Sequence, residues 1–107
     1  MAEKEVKDID SLIDQGLNDE NNELDLREKE LDDEDLIKVL ESDKVKGVTA
    51  MFLEFNDCGD EGLKALVESD KMKFLTALNL FKNKVTDEGV QALAKSKNML
   101  NLSELIL

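Results

Sequence analysis

The amino-acid sequence repeats itself with a period of 27 residues, and no other feature constrains the fold as strongly. When residues 48–74 are aligned with residues 75–101 without a gap, eleven positions carry the same residue. The identical pairs are Thr49/Thr76, Ala50/Ala77, Leu53/Leu80, Asn56/Asn83, Asp60/Asp87, Glu61/Glu88, Gly62/Gly89, Ala65/Ala92, Leu66/Leu93, Ser69/Ser96 and Met72/Met99. Such a period is typical of a solenoid, in which each repeat covers the apolar face of its neighbour.

The register of the repeat extends in both directions. One step toward the amino terminus, residues 21–47 place leucine and valine at the same apolar positions, and one step forward, residues 102–107 begin another unit. We therefore predict a single domain over residues 1–107. Its predicted parts are an amino-terminal helical cap at 1–20, repeats at 21–47, 48–74 and 75–101, and the first strand of a fourth repeat at 102–107.

Each repeat follows a strand pattern with a helix pattern. Apolar residues alternate in Met51-x-Leu53 and in Leu78-x-Leu80, as they do in strands. Later in each repeat they recur at spacings of three and four, as on one face of a helix. These helical positions are Leu36, Val39, Leu40, Leu63, Leu66, Val67, Val90, Leu93 and Ala94. The predicted order within a repeat is strand, loop and helix.

The predicted helices carry capping signals. Thr86 is placed as an N-cap, with Asp87 and Glu88 in the first turn, where the helix dipole favours acidic side chains. Gly62 and Gly89 come early in their helices, where glycine costs about 1 kcal/mol relative to alanine. Close packing against the neighbouring repeat is the predicted reason for these glycines.

The unit Leu75-x-x-Leu78-x-Leu80-x-x-Asn83-x-Val85-Thr86-Asp87-Glu88-Gly89 resembles the leucine-rich-repeat family, and most of all its ribonuclease-inhibitor-like class in bacteria. The resemblance covers about residues 21–107. It implies an α/β fold: a short right-handed solenoid in the form of a horseshoe arc, with an amino-terminal cap helix. About four parallel strands would line the concave side and helices the convex side. The resemblance also implies protein binding without catalysis.

Asn56 and Asn83 match the asparagine of that family, whose side-chain amide, by the resemblance, bonds to loop backbone and forms a ladder between turns. The first repeat has Lys29 at this position, so its turn is expected to be looser. Cys58 takes the place of other apolar residues in the register, and we predict a buried packing role rather than a reactive thiol. Phe74 is expected to fill the turn from helix to strand.

The two ends of the chain are predicted to differ. Ile9, Leu12 and Ile13 form an apolar stripe within Glu3–Gln15, with acidic residues on the other face. We predict a cap helix over Glu3–Gln15, with Val6 adding a turn, and a connection over Gly16–Asn22; a partner-binding amphipathic helix is the alternative.

At the carboxyl end the chain stops inside a predicted strand, which leaves an unpaired sheet edge that invites pairing. Truncation of a longer protein, a homodimer through this edge, and a tolerated edge are the three explanations. Self-association and truncation are favoured over tolerance.

The strand residues that flank the inward leucines are predicted to face solvent. They include Phe52, Phe55 and Phe81, with small Ala50 and Ala77 beside them to leave room for a ligand. Exposed aromatic residues clustered on one face are typical of an interface. The predicted protein-binding residues are Phe52, Phe55, Phe81, Asn79, Glu54, Arg27, Lys82 and Ile106. The alternative is that the rings are covered by the edges of a short sheet or by a second copy.

Composition excludes several classes of function. The net charge is −12, and residues 1–47 hold seven basic and seventeen acidic side chains, a balance of −10. Such a chain repels polyanions, so neither nucleic acid nor an anionic membrane is an expected partner. The acidic charge serves either solubility or the steering of a basic partner toward the amino-terminal half.

Catalysis and metal binding have little support in the sequence. Histidine is absent, and with it the commonest general acid–base group and metal ligand. The acidic run Asp32–Asp35 lacks the glycine and final glutamate of a calcium loop, and in the repeat register it is a helix start. We predict no catalytic residue, no metal and no cofactor.

We therefore predict a non-catalytic scaffold that binds a protein through the concave sheet face, with partner identity left open. The alternative is a structural or self-association module, with part of a longer repeat protein and a bacterial effector as its candidate identities. The predicted location is the cytoplasm, of a bacterium or of a host cell that receives the protein. The charged start of the chain and the single cysteine, Cys58, favour that location over secretion.

Overall fold

The computed structural model describes residues 6–107 and contains one sheet of four parallel strands in the order β1-β2-β3-β4. The strands are β1 (Glu23–Asp25), β2 (Ala50–Phe52), β3 (Ala77–Asn79) and β4 (Glu104–Ile106). The helices are α1 (Ile9–Gly16), α2 (Asp33–Glu41), α3 (Asp60–Glu68) and α4 (Asp87–Lys95). Short 3-10 helices at Asp43–Val45 and Asp70–Met72 follow α2 and α3. The predicted α/β arrangement of a short repeat solenoid is confirmed.

The strands pair in the register of the 27-residue period. Leu24 lies beside Met51, Met51 beside Leu78, and Leu78 beside Leu105. The first three of these inward side chains are almost completely buried, and they pack with apolar side chains of the helices in one core. The helices therefore cover one face of the sheet and leave the other face open.

The helices begin where acidic side chains bind backbone N–H groups. In α2, the Asp32 side chain accepts the Asp35 N–H at 2.9 Å, and the Asp35 side chain accepts the Asp32 N–H at 3.1 Å. This is a capping box, and it gives the run Asp32–Asp35 the role of a helix start that the register predicts. Thr86 is the N-cap of α4, although its side chain makes no cap bond within that helix.

A second set of acidic contacts joins one repeat to the next. Asp60 Oδ1 accepts the Thr86 N–H at 2.8 Å, and Asp60 Oδ2 accepts the Thr86 hydroxyl. These bonds hold the pKa of Asp60 below its ordinary value. A methyl group at Gly89 would collide with Asp60 Oδ1, which confirms close packing between repeats as the reason for this glycine.

The asparagine ladder is present. Asn83 Nδ2 donates to the Leu53 carbonyl at 2.8 Å, and Asn83 Oδ1 accepts the Cys58 N–H at 2.9 Å. Asn56 makes the equivalent bonds to the first repeat, where it accepts the Lys29 N–H at 3.1 Å. The turn expected to be looser is therefore bound by the following repeat, through the N–H groups of Lys29 and Leu31.

The amino-terminal helix is shorter than predicted. It begins at Ile9 because Asp8 accepts the Ser11 N–H at 3.1 Å as N-cap, whereas Val6 is 89% exposed and adds no turn. Residues 3–5 of the predicted helix lie outside the described residues. Ile13 is fully buried against the first repeat, as a cap requires. After α1 the chain forms an antiparallel bridge with β1, which covers that edge of the sheet.

Burial falls toward the carboxyl end. Helix α3 buries Leu63, Leu66 and Val67, whereas α4 buries only Gly89. Among residues 6–107, strand β4 has a neighbour on one side only, and Ile106 and the adjacent Leu107 are each about half exposed. The last repeat therefore presents apolar surface and an unpaired strand edge to solvent.

Candidate protein-binding site

The open face of the sheet, which corresponds to the predicted concave side, carries two exposed aromatic rings in contact. Phe55 is 51% exposed and Phe81 is 42% exposed. Their ring centroids lie 5.8 Å apart with an interplanar angle of 87°, an edge-to-face arrangement. The rings come from neighbouring repeats, and the Phe55 N–H donates to the Phe81 carbonyl at 2.9 Å. This backbone bond holds the two residues side by side.

Phe55 adopts an unfavourable backbone conformation. Its φ is 60°, in the left-handed region, where a side chain with a Cβ costs about 1–2 kcal/mol. Glu28 and Lys82, one repeat before and after, have φ of 55° and 59°. The repeat geometry therefore requires this conformation, and a bulky aromatic residue occupies it without being buried. Burial in the core therefore does not explain the choice of phenylalanine.

The third predicted aromatic residue, Phe52, and the small Ala50 near it are less exposed than Phe55 and Phe81. Phe52 is half-buried, and Ala50, expected to leave room for a ligand, is itself buried. The prediction of an open space beside the rings is therefore wrong at Ala50. Ala50 lies on β2 between Glu23 and Ala77 of the neighbouring strands, and the end of α1 borders a groove with Phe52.

Arg27, Asp25 and Glu54 form a charged cluster beside Phe55. The Arg27 guanidinium donates to both carboxylate oxygens of Asp25, at 3.0 and 2.8 Å. Their side-chain hydrogen bond holds the pKa of Asp25 below its ordinary value and raises the pKa of Arg27. Glu54 is farther away, with its Oε2 3.9 Å from Arg27 Nε. Arg27 is therefore paired closely with Asp25 and only loosely with Glu54.

A groove beside this cluster includes residues that sequence reasoning missed. Gln15 and Gly16, at the carboxyl end of α1, line it together with Arg27, Glu54 and Phe55. A side chain at Gly16 would collide with the Asp25 carbonyl, so only glycine allows the helix end to approach the sheet this closely. A glycine at the end of the cap helix was the available signal.

The remaining predicted site residues extend the surface toward β4. Lys82 Nζ lies 5.5 Å from the centroid of the Phe81 ring, and Asn79 Oδ1 accepts the Phe81 N–H at 3.0 Å. Ile106, in register with Asn79, is 52% exposed. The structure thus brings Phe55, Phe81 and Lys82 together, and places Arg27 and Glu54 at one end of the face and Ile106 at the other.

One segment of the chain matches a known protein family. Residues 71–94, which contain β3, the Asn83 loop and most of α4, match a family model described as Leucine Rich repeat. The match supports a leucine-rich-repeat family. No curated protein matches the chain. Domains built from leucine-rich repeats generally mediate protein–protein interaction, which agrees with an exposed aromatic pair on the face turned away from the helices.

One aromatic residue of the chain lies elsewhere. Phe74, expected to fill the turn between helix and strand, is 54% exposed, with Lys73 Nζ 5.5 Å from its ring centroid. It precedes β3, whereas Phe81 follows it, so the two rings stand at opposite ends of the strand. The prediction of a buried plug is wrong, because Leu75 and Met72 fill the core at this turn.

The chemistry of the other candidate groups agrees with a structural role. Cys58 is 1% exposed, and burial raises the pKa of its thiol to about 12, so the predicted packing role is confirmed. Among residues 6–107, no group of three or more histidine, cysteine or acidic side chains is arranged to hold a metal ion. Within the same residues no helix is long and apolar enough to span a membrane.

Proposed function

We propose that this protein is a non-catalytic scaffold that binds a protein partner through the open face of its sheet. The observation that carries the proposal is the edge-to-face pair of Phe55 and Phe81, both exposed, with Phe55 in a backbone conformation that disfavours it. Aromatic residues near the centre of a surface patch dominate the binding energy of many interfaces. A partner that covered the exposed half of both rings would gain about 1.5–3 kcal/mol before the costs of association.

The experiment compares proteins captured by the immobilised domain from a lysate of its source cells. Phe55→Ala with Phe81→Ala should keep the fold and lose the specific partner. Phe74→Ala is the matched control, because it removes an equally exposed ring from the far end of the strand. Retention of the partner by the double variant, with loss in the Phe74 variant, would place the interface elsewhere.

The proposal also includes four more specific expectations from the sequence. They are membership of the ribonuclease-inhibitor-like class, a bacterial source, a cytoplasmic or host-delivered location, and the absence of a nucleic-acid or membrane partner. The acidic charge supports the last of these, since a net charge of −12 repels polyanions.

A second candidate function is self-association through β4. The exposed Ile106 and Leu107 and the unpaired edge of β4 favour it, because such an edge accepts another strand. Sedimentation equilibrium should then show dimers that Ile106→Lys weakens, since a lysine on an edge strand opposes pairing. A monomer at millimolar concentration would refute this candidate and leave the first one standing.

A further inference from the structure

We infer that the open face recognises a basic side chain of the partner, an arginine or a lysine, at Glu54 and the neighbouring Phe55 ring. This inference rests on the proposed function and adds the chemistry of the partner. Four observations carry it: the incomplete pairing of Glu54, the commitment of Arg27 to Asp25, the end of a helix at the groove, and the aromatic rings.

Glu54 is a poorly satisfied acid. Its side chain is 13% exposed, and its Oε1 is buried with no hydrogen-bond partner in the described part of the chain. A buried carboxylate oxygen without a donor is unfavourable, so a donor supplied from outside gains more here than at a solvated acid. A donor in the groove bonds the carboxylate oxygen that faces it, and rotation about the last torsion can bring either oxygen to that position.

Arg27 does not fill this role. Its guanidinium makes hydrogen bonds of 3.0 and 2.8 Å to Asp25, whereas its distance of 3.9 Å to Glu54 is too long for a hydrogen bond. The groove is also lined by the acidic Glu28 and the basic Lys29, so its five charged residues carry three negative and two positive charges. One negative charge is left for a partner to neutralise.

Helix α1 adds to the attraction for a cation. Its carboxyl end, at Gln15 and Gly16, lines the groove, and its last turn carries no basic residue. The carbonyl groups at the end of a helix bear partial negative charge and favour a nearby cation. The net charge of −12 also steers a basic partner toward the domain.

The aromatic rings supply the apolar part of the site. A cation is attracted to the face of an aromatic ring within about 6 Å of its centroid, and Lys82 already lies in this way over Phe81. Phe55 has no such cation among residues 6–107, and its ring lines the groove beside Glu54. An arginine side chain fits this pair best, because its planar group stacks on a ring while it donates to a carboxylate.

The test uses the probe acetyl-Leu-Arg-Leu-amide and its neutral isostere, in which citrulline replaces arginine. Proton–nitrogen correlation spectra of the labelled domain follow each titration. The arginine peptide should shift the amide signals of Glu54 and Phe55, with binding at least about threefold tighter than that of the citrulline peptide. Added salt should reduce this difference, because it screens the charge interaction.

Two matched variants locate the effect. Glu54→Gln should weaken binding of the arginine peptide about three- to fivefold, whereas Glu68→Gln, the same change at an exposed residue of α3, should not alter it. Equal binding of the two peptides, or shifts that Glu54→Gln leaves unchanged, would overturn the inference. The proposed function is judged separately, because partner capture by the phenylalanine variants does not depend on the peptides.

Discussion

Phe55 combines an exposed ring with a left-handed backbone, and the two properties can be separated by substitution. Phe55→Ala removes the ring and keeps the strained φ of 60°, whereas Phe55→Gly removes the ring and the strain. The glycine variant should therefore be more stable than the alanine variant by about 0.5–1 kcal/mol in urea denaturation. At Phe81, whose φ is not positive, the order of the same two variants should be reversed. The same order at both sites would show that φ does not determine stability here.

Cys58 gives the domain a pH dependence in the alkaline range. Burial, with a smaller contribution from the Asp33 charge, raises the pKa of the folded thiol from 9.0 to about 12. The folded state therefore holds this proton more tightly than the unfolded chain, so the stabilisation is complete below pH 9 and is lost as pH rises toward 12. The loss can reach about 4 kcal/mol.

The measurement for Cys58 is chemical denaturation from pH 7 to pH 11, with Cys58→Val as reference. Valine suits the position because Val85 occupies it in the next repeat. Lysine deprotonation affects both proteins alike, so the difference between them isolates the thiol. A wild type and variant that lose stability in parallel above pH 9 would show that the folded thiol titrates normally.

The binding-face residues could be predicted only where the repeat determines them. The period places Phe55 and Phe81 one register position apart on adjacent repeats. The exposure of Phe81, next to the buried Leu80, follows from the alternation of strand side chains, whereas Phe55, two residues after the buried Leu53, is exposed where the backbone turns left-handed. The approach of Gln15 to the groove depends on how the cap lies against the sheet, which no repeat encodes. Residues from the non-repeating part of the chain therefore escaped prediction.

At the scale of elements, the sequence predicts which strands pair, and in which register, better than it predicts where helices begin and end. The 27-residue register places Leu24, Met51 and Leu78 side by side because every repeat must bury the same apolar positions. Helix ends depend on single side-chain bonds, such as that of Asp8 in α1, and the apolar pattern of residues 3–15 does not reveal them. The 3-10 helices at Asp43–Val45 and Asp70–Met72 escaped prediction for a similar reason, because three residues are too few for a periodicity.

The contact between Asp60 and Gly89 couples α3 to α4, and a double-mutant cycle can measure it. Gly89→Ala should destabilise the domain, although alanine favours helices, because the Asp60 carboxylate would have to leave its bonds to Thr86 to make room for the methyl group. In the Asp60→Ala background that carboxylate is absent, and the same change should instead stabilise the domain by up to about 1 kcal/mol. Thermal and urea unfolding of the wild type, the two single variants and the double variant give the interaction free energy between positions 60 and 89. If the effects of the two substitutions on stability were additive, α3 and α4 would have to move apart to accommodate the methyl group at no cost in free energy.

At the scale of the molecule, the amino-terminal end is covered and the carboxyl-terminal end is not. Ile13 of the cap is fully buried and the edge of β1 is bridged, whereas α4 buries little and β4 has a free edge. In a solenoid each repeat is stabilised mainly by its neighbours, so a repeat with one neighbour opens more easily than a repeat with two. Stability should therefore decline along the chain toward β4.

Native-state hydrogen exchange tests this gradient on three equivalent backbone amides. Ala50, Ala77 and Glu104 occupy one register position and donate to the preceding repeat at 3.2, 3.1 and 3.0 Å, so hydrogen-bond length cannot explain a difference between them. The protection factor of Glu104 should be at least about tenfold below that of Ala50, because opening of the last repeat exposes little buried surface. Ala77, which lies between them, should have an intermediate value. Equal protection at all three amides would mean that the domain opens only as one cooperative unit, in which the free end of the sheet is as stable as its covered end.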